Sequence, residues 1–133
     1  MLKLCCLSVF VRKPGEVVSS AKSSKAKGRR LQNLVRDLLR SVFSFLHEDD
    51  IKSQTMGMGG EDVVLSPEAR KYIPYSFECK NVERLNLWDA IDQSKSNCGE
   101  RVPVVVIKKN RRNPYAVMPL EEFISLIREV NEK

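Results

Sequence analysis

The sequence predicts an α/β fold, in which helices sandwich a mixed β-sheet in the order α-β-β-β-α-β-β-α. Apolar residues recur at every third or fourth position over residues 31–46 and again over residues 120–130, which is the spacing of amphipathic helices. Between these helices, residues 102–107 form a continuous apolar run rich in β-branched side chains, which is typical of a strand buried on both faces. Helices and strands in this alternation favour a layered α/β domain.

The length and charge of the chain fit one domain with an anionic partner. With 133 residues, of which 42% are apolar, the chain can bury one core. The formal net charge of +6 favours an acidic partner, although charge alone does not distinguish nucleic acid from an acidic membrane surface. We assign residues 1–24 to a basic N-terminal extension and residues 25–133 to the domain.

The cysteines and the apolar stretches bear on where the protein works. The four cysteines lack metal-ligand spacing and do not suggest a disulfide framework, so a reducing cytoplasm is the simplest setting. No apolar stretch approaches the roughly 18 residues of a membrane span, so we expect no membrane association.

The first helix is expected to begin at Gly28 and to end near His47. Its apolar stripe should face the core, because residues at i, i+3, i+4 and i+7 share one face of a helix. The stripe consists of Leu31, Leu34, Val35, Leu38, Leu39, Val42, Phe43 and Leu46. Residues 12–30, which precede it, are basic and serine-rich and form either a solvated linker or an arm that contacts phosphates.

Three strands are expected next, over Ile51–Ser53, residues 62–65 and residues 75–80, and the last two should pair with each other. The glycine-rich residues 56–60 indicate a turn between the first and second strands.

The second half of the chain continues the alternation of helices and strands. A helix over Leu87–Asn97 should turn Trp88 and Ile91 inward, and it precedes the buried strand at 102–107. Residues 108–114 form a basic turn, and residues 115–118 return as a further strand. Pro119 then opens a final helix. The residues of this helix that we expect to face inward are Leu120, Phe123, Ile124, Ile127 and Val130.

The strand at 75–80 carries the residues that point to chemistry. Glu78 and Lys80 lie two positions apart, so their side chains share one face of the strand at a separation of roughly 6–7 Å. Asp62 adds a second carboxylate from the neighbouring strand. Two carboxylates and an ammonium at one sheet edge predict a site for a divalent metal.

These residues resemble the motifs of the PD-(D/E)XK nucleases, which have the restriction-endonuclease-like fold, and most of all the archaeal-type Holliday junction resolvases. The similarity runs from about residue 25 to residue 117. The first helix opens on residues 27–29 as in those resolvases, Asp62 stands in the family's Pro-Asp step, and residues 77–80 match its Glu-X-Lys strand. Gln93 occupies a position where such resolvases carry a glutamine.

The resemblance implies that Mg²⁺, for which Mn²⁺ could substitute, is held by Asp62, Glu78 and the backbone carbonyl of Cys79. The metal would activate a water for attack on a phosphodiester. Lys80 would act electrostatically beside the scissile phosphate, and Gln93 would reach the phosphate or brace Lys80.

Two residues depart from the family pattern near this expected site. The first-helix glutamate that often helps to hold a metal is Gln32 here, whose amide brings no charge. The family's proline before the aspartate is Glu61, which leaves open a ligand role for Glu61. On a strand, neighbouring side chains point to opposite faces, so only Glu61 or Asp62 should face the metal, and the resemblance favours Asp62.

The resemblance further implies a homodimer that acts on branched DNA in recombination and repair, as a junction resolvase that makes paired nicks. A restriction-like or repair nickase, and an inactive DNA-binding module on the same fold, are the alternatives. The final helix and the apolar N-terminus are both candidate dimer surfaces. The residues expected to contact DNA are Lys25, Lys27, Arg29, Arg30, Ser53, Lys108, Lys109, Arg111 and Arg112.

Overall fold

The structure is a computed structural model of the chain, and it describes residues 21–55 and 57–132. The predicted α/β class is confirmed. In chain order the elements are helix α1 (Ala21–Val42), a 3₁₀ turn (Glu48–Asp50), strands β1 (Ile51–Ser53) and β2 (Val63–Leu65), helix α2 (Pro67–Arg70), strand β3 (Tyr75–Asn81), helix α3 (Leu87–Asn97), strands β4 (Val102–Lys108) and β5 (Tyr115–Val117), and helix α4 (Leu120–Asn131).

Helix α1 begins at Ala21, so the expected start at Gly28 is wrong, and Gly28 lies inside the helix. The helix also continues across the boundary that we placed between residues 24 and 25. A glycine in a helix interior costs about 1 kcal/mol relative to alanine, and the alanines and lysines around Gly28 are strong helix formers that offset this cost.

The strands form two small sheets rather than the single mixed sheet that we expected. Strands β1 and β2 pair antiparallel, and β4 pairs parallel with β3 and antiparallel with β5. The expected pairing of the second strand with the third is therefore wrong. One backbone hydrogen bond still links the two sheets, from the Asp62 N–H to the Phe77 carbonyl at 3.0 Å.

Helix α2 is a short element that is absent from the expected order of helices and strands. Ser66 caps its N-terminus by accepting a hydrogen bond from the Ala69 N–H, and Pro67 occupies the first turn, where its missing N–H costs nothing. Ala69 is fully buried against the core, which holds this single turn in place.

The core lies between α1 and one face of the sheet that contains β3. Leu31 and Val35 of α1 pack there with Cys79 of β3 and Val104 and Val106 of β4. Helix α3 covers the opposite face, where Ala90 is buried. The apolar stripe that begins in α1 is thus confirmed as core at Leu31 and Val35, whereas Leu38 and Val42 are exposed. Four further residues of the stripe are partly buried and pack against this core: Leu34, Leu39, Phe43 and Leu46.

Two expectations about inward-facing residues are wrong. Trp88 is 75% exposed, because it lies in the first turn of α3, on the side away from the sheet. All five apolar residues of α4 that we expected to face inward are exposed, among them Leu120 at 72% and Val130 at 60%. Periodicity identified α4 as amphipathic, but it could not say which surface would cover the apolar face.

Candidate active site

The predicted site residues meet at the free edge of β3, which pairs only with β4 among the described strands. Glu78 and Lys80 point to the same face of β3, and the Lys80 Nζ lies 3.2 Å from the Glu78 Oε1. Glu78 is buried, whereas the Lys80 side chain is about a quarter exposed. The ammonium therefore lies between a buried carboxylate and solvent, as expected from the alternation of side chains along the strand.

Asp62 reaches this site from the residue just before β2. Its Oδ2 accepts a hydrogen bond of 2.7 Å from the backbone N–H of Cys79. The carbonyl of Phe77 and the N–H of Cys79 both bond along this edge. Because the N–H and C=O of one strand residue point to the same edge, the carbonyl of Cys79 points to the edge on which Asp62 lies.

Three side-chain amides complete the surroundings of the carboxylates. The Lys80 Nζ donates a 2.9 Å hydrogen bond to the Gln93 Oε1, which extends from α3. Gln32 of α1 is buried and interacts with the Asp62 carboxylate through its side chain. Asn97, one helical turn after Gln93, interacts with the Glu78 carboxylate through its side-chain amide. The edge of β3 is therefore enclosed by amides from both helical layers.

The surroundings of the site disfavour ionisation of both Asp62 and Glu78, even with the Lys80 ammonium beside them. Burial raises the pKa of Asp62, and the hydrogen bond from Cys79 and the charge of Lys80 only partly oppose this effect. Burial also raises the pKa of Glu78, and repulsion from Asp62 raises it further, against the influence of Lys80. The pKa of the Cys79 thiol is raised mainly by burial, which keeps the thiol neutral and makes it a poor nucleophile.

The donor set fits a small hard cation. Among the described residues, three buried side-chain oxygen atoms lack a hydrogen-bond partner, and two of them, the Glu78 Oε2 and the Gln32 Oε1, belong to this site. Such orphaned acceptors need either a proton donor or a cation. No group of three or more His, Cys, Asp or Glu side chains with metal-binding geometry occurs in residues 21–55 and 57–132. Two carboxylates with oxygen ligands from the backbone and from water are, however, a usual set for Mg²⁺.

Glu61 lies outside this group, although it precedes Asp62 in sequence. Its buried carboxylate forms an ion pair of 2.6 Å with Arg101 and a longer one of 3.4 Å with Arg70. Ser76 also donates a hydrogen bond to it. Glu61 is thus occupied by a structural ion pair, and Asp62 alone of the two turns to the site.

Two of the residues expected to contact DNA lie in the interior or have another partner. Lys27 is buried, and its ammonium faces Glu83 at 3.9 Å. The Ser53 hydroxyl donates a 2.7 Å hydrogen bond to the Asn33 Oδ1. Contact of these two side chains with phosphates therefore stays a prediction, and Lys27 would have to leave Glu83 and the interior to make it.

The other basic residues lie on two separate stretches of the surface. Lys25, Arg29 and Arg30 are exposed on the first half of α1. In the turn between β4 and β5, Lys109, Arg111 and Arg112 are exposed, and Lys108 is partly exposed.

Asn97 and Arg101 are site or supporting residues that the sequence analysis missed. The spacing of four residues between Gln93 and Asn97 could have identified Asn97, because it places both amides on the same face of α3. Nothing in the local pattern around Arg101 indicates its ion pair with Glu61, since the two residues are distant in sequence.

Comparisons with known proteins identify no relative. No family model matches the chain, and searches of curated proteins and of solved structures also find no match. Within the described residues, none of the helices is both long and apolar enough to traverse a bilayer.

Proposed function

We propose that the chain is a Mg²⁺-dependent, structure-selective DNA endonuclease that resolves four-way junctions by paired nicks. The observation that carries this proposal is the meeting of Asp62, Glu78, Lys80 and Gln93 at one strand edge, with an orphaned carboxylate oxygen buried among them. The order of these residues along the chain matches the resemblance to the PD-(D/E)XK nucleases. The choice of a junction as substrate rests on that resemblance alone.

Asp62, Glu78 and the Cys79 carbonyl would hold the metal in this proposal. When bound, Mg²⁺ would supply positive charge to the phosphate oxygens and lower the pKa of a water molecule. The backbone of the chain fixes the orientation of the Asp62 carboxylate. The Cys79 N–H orients this carboxylate by a hydrogen bond to one oxygen, Oδ2.

Lys80 would stabilise negative charge that grows on the phosphate in the transition state. Its ammonium is held between Glu78 and Gln93, so it needs little reorganisation when a phosphate arrives. Because the carboxylates of Asp62 and Glu78 attract a positive charge at Lys80, we assign Lys80 an electrostatic role rather than that of a general base. Gln93 positions Lys80, and Gln32 braces Asp62.

The exposed basic residues would contact DNA phosphates on both sides of the site, which positions the duplex without reading its sequence. They lie at the start of α1 and in the β4–β5 turn. In this proposal the protein works inside the cell, on DNA, in recombination or repair.

A homodimer that associates through α4 would bring two active sites together, one for each of the paired nicks. Five large apolar residues of α4 are exposed along one face of the helix, and a contiguous apolar patch of this kind can mark a protein–protein contact. Glu121 and Arg128 lie two helical turns apart along one margin of this stripe. In an antiparallel pair of α4 helices, each Glu121 would face the Arg128 of the second copy, which favours self-association over another occupant.

The test of this function incubates the full chain and Mg²⁺ with labelled four-way junction, flap, nicked and linear duplex DNA. We expect symmetric nicks confined to the junction, and we expect Asp62→Asn to abolish cleavage while DNA binding survives. Cleavage of linear duplex at fixed sequences would replace the proposal with a restriction-like activity. If neither Mg²⁺ nor Mn²⁺ supports any cleavage, the chain is instead a DNA-binding module.

A further inference from the structure

A pocket lies on the sheet face that carries Lys80, at the ends of β3 and β4. It has a volume of about 610 Å³, which is in the range of pockets that bind small molecules or single nucleotides. Its wall is apolar at Val82, Leu85 and Leu87, and its floor is formed by Ile107 and Tyr115. The proposed function uses its basic residues for phosphate contacts but assigns no role to its apolar wall or to Tyr115.

Strand register places the pocket directly beside the candidate active site. Lys80 is paired with Ile107, and Ile107 is paired with Tyr115. Residues that are paired across neighbouring strands project to the same face of a sheet, so these three side chains form one row. The pocket therefore lies on the same sheet face as Lys80 and one strand away from it, although Lys80 itself does not line the pocket.

The rim of the pocket is basic, and its floor carries an exposed aromatic ring. Lys109, Arg111 and Arg112 lie on the rim, and the Tyr115 side chain is 67% exposed. Aromatic rings of this kind stack on nucleobases, while neighbouring cations neutralise the phosphates of the same strand. The apolar wall would suit the flat faces of a base better than it would suit a phosphate alone.

The turn that carries the rim is held in a set conformation. Arg111 has a φ of +62°, a left-handed conformation that is uncommon for residues other than glycine and that recurs at functional sites. The Glu83 carboxylate accepts a 2.9 Å hydrogen bond from the Asn110 N–H and thereby ties this turn to the end of β3. The turn that forms the basic rim is thus fixed to the sheet at one point beside the pocket.

From these observations we propose that the pocket binds an unpaired nucleotide of the DNA substrate, with its base stacked on Tyr115 and its phosphates on the basic rim. The proposal rests on DNA being the substrate of the proposed function, and it deepens that function by supplying a source of structure selectivity. Fully paired duplex offers no base to the pocket. The arms of a four-way junction are also paired, so the pocket would take a nucleotide only where pairs open at the branch point, where unpairing costs least.

The test measures binding rather than cleavage, in EDTA, by fluorescence anisotropy of the full chain with a single-stranded oligonucleotide and with a blunt duplex of the same sequence. We expect Tyr115→Ala to weaken single-strand binding by about 5- to 150-fold, which is the cost of losing one stacked base. Duplex binding should change less than about twofold, because phosphate contacts remain. Tyr115→Phe should bind like the wild type, because its ring still stacks.

Tyr72→Ala serves as the matched control, because Tyr72 is also exposed but lies away from the pocket, against Phe45. Equal losses for single strand and duplex in Tyr115→Ala, or no loss at all, would overturn the inference. The outcome is separable from that of the cleavage test. If the wild type never cleaves DNA but Tyr115→Ala shows the selective loss, the nuclease proposal is refuted and the pocket proposal is supported. If the wild type cleaves DNA but Tyr115→Ala shows no selective loss, the nuclease proposal is supported and the pocket proposal is refuted.

Discussion

The ion pair between Glu61 and Arg101 should be a major determinant of stability, although it lies next to the proposed catalytic residue. We consider the substitution Glu61→Ala. The side chains of Glu61 and Arg101 are 9% and 15% exposed and lie 2.6 Å apart, so the substitution leaves a largely desolvated guanidinium without its carboxylate. Removal of one partner of a buried ion pair costs about 3–5 kcal/mol.

The low end of this range applies to Glu61→Ala. Arg101 keeps a long contact of 3.5 Å to the carbonyl of Tyr75 and can move toward solvent, which recovers part of the loss. We therefore expect a loss of about 3 kcal/mol in the free energy of unfolding. For a domain of this size, 1 kcal/mol corresponds to a shift of roughly 3–5 °C, so the melting temperature should fall by about 10 °C.

The assay is urea unfolding followed by circular dichroism, with thermal melts in parallel. Arg70→Ala is the matched control, because its side chain is 48% exposed and lies 3.4 Å from the same carboxylate. An exposed pair of this kind contributes at most about 1 kcal/mol. A loss below about 1 kcal/mol for Glu61→Ala, or equal losses for the two variants, would refute the buried placement of Glu61.

Three further predictions concern the site and α4. Burial raises the pKa of Asp62 in the folded protein above its value in the unfolded chain, which is near 3.8. The ionised carboxylate therefore lowers the free energy of unfolding as the pH rises above that value. Asp62→Asn should accordingly raise the melting temperature of metal-free protein at pH 7 but not at pH 3. A thermal melt should also show that Mg²⁺ at 100 times its Kd stabilises the wild type by about 2.7 kcal/mol but leaves this variant unchanged. Lys80→Gln should reduce the rate of DNA cleavage about 10²- to 10³-fold in a single-turnover assay while DNA affinity changes little, whereas Lys95→Gln, on the exposed side of α3, should cleave normally. Phe123→Glu should convert a dimer to a 15.2 kDa monomer in light scattering, and a wild type that is already monomeric would end the proposal of self-association.

Local pattern was sufficient to predict most elements and the relation between Glu78 and Lys80. The alternation of side chains along a strand places these two residues together whatever the rest of the fold does. Helix α3 and strand β1 were predicted to the residue, because their apolar spacing and boundaries are strong. The location of Asp62 beside Cys79 required the resemblance as well, since no local rule brings residues 62 and 79 together.

Features that depend on distant contacts could not be predicted in the same way. Helix α1 extends past Gly28 because helix propensity summed over its first turns outweighs one glycine, and a boundary rule based on single residues misses this sum. Lys27 looked like a surface cation but is buried, because the carbonyl of Lys27 accepts a hydrogen bond from Asn81 and its ammonium faces Glu83. Both of those partners are more than 50 positions away in the chain.

The separation of the two sheets explains how the candidate site arises. A continuous sheet would have used the N–H of Cys79 for a ladder hydrogen bond with β2. Instead, β2 leaves β3 after the single bond from Asp62 to Phe77, and the Asp62 carboxylate takes the next N–H along the edge. The Asp62 side chain thereby takes the place of a strand partner, and the backbone carbonyl of Cys79 has no ladder partner from β2 on this edge. The misprediction of one sheet and the prediction of the site thus concern the same residues. In the proposed function, the edge of β3 that lacks a strand partner in the described part of the chain is the side from which a metal would be held by Asp62 and Glu78.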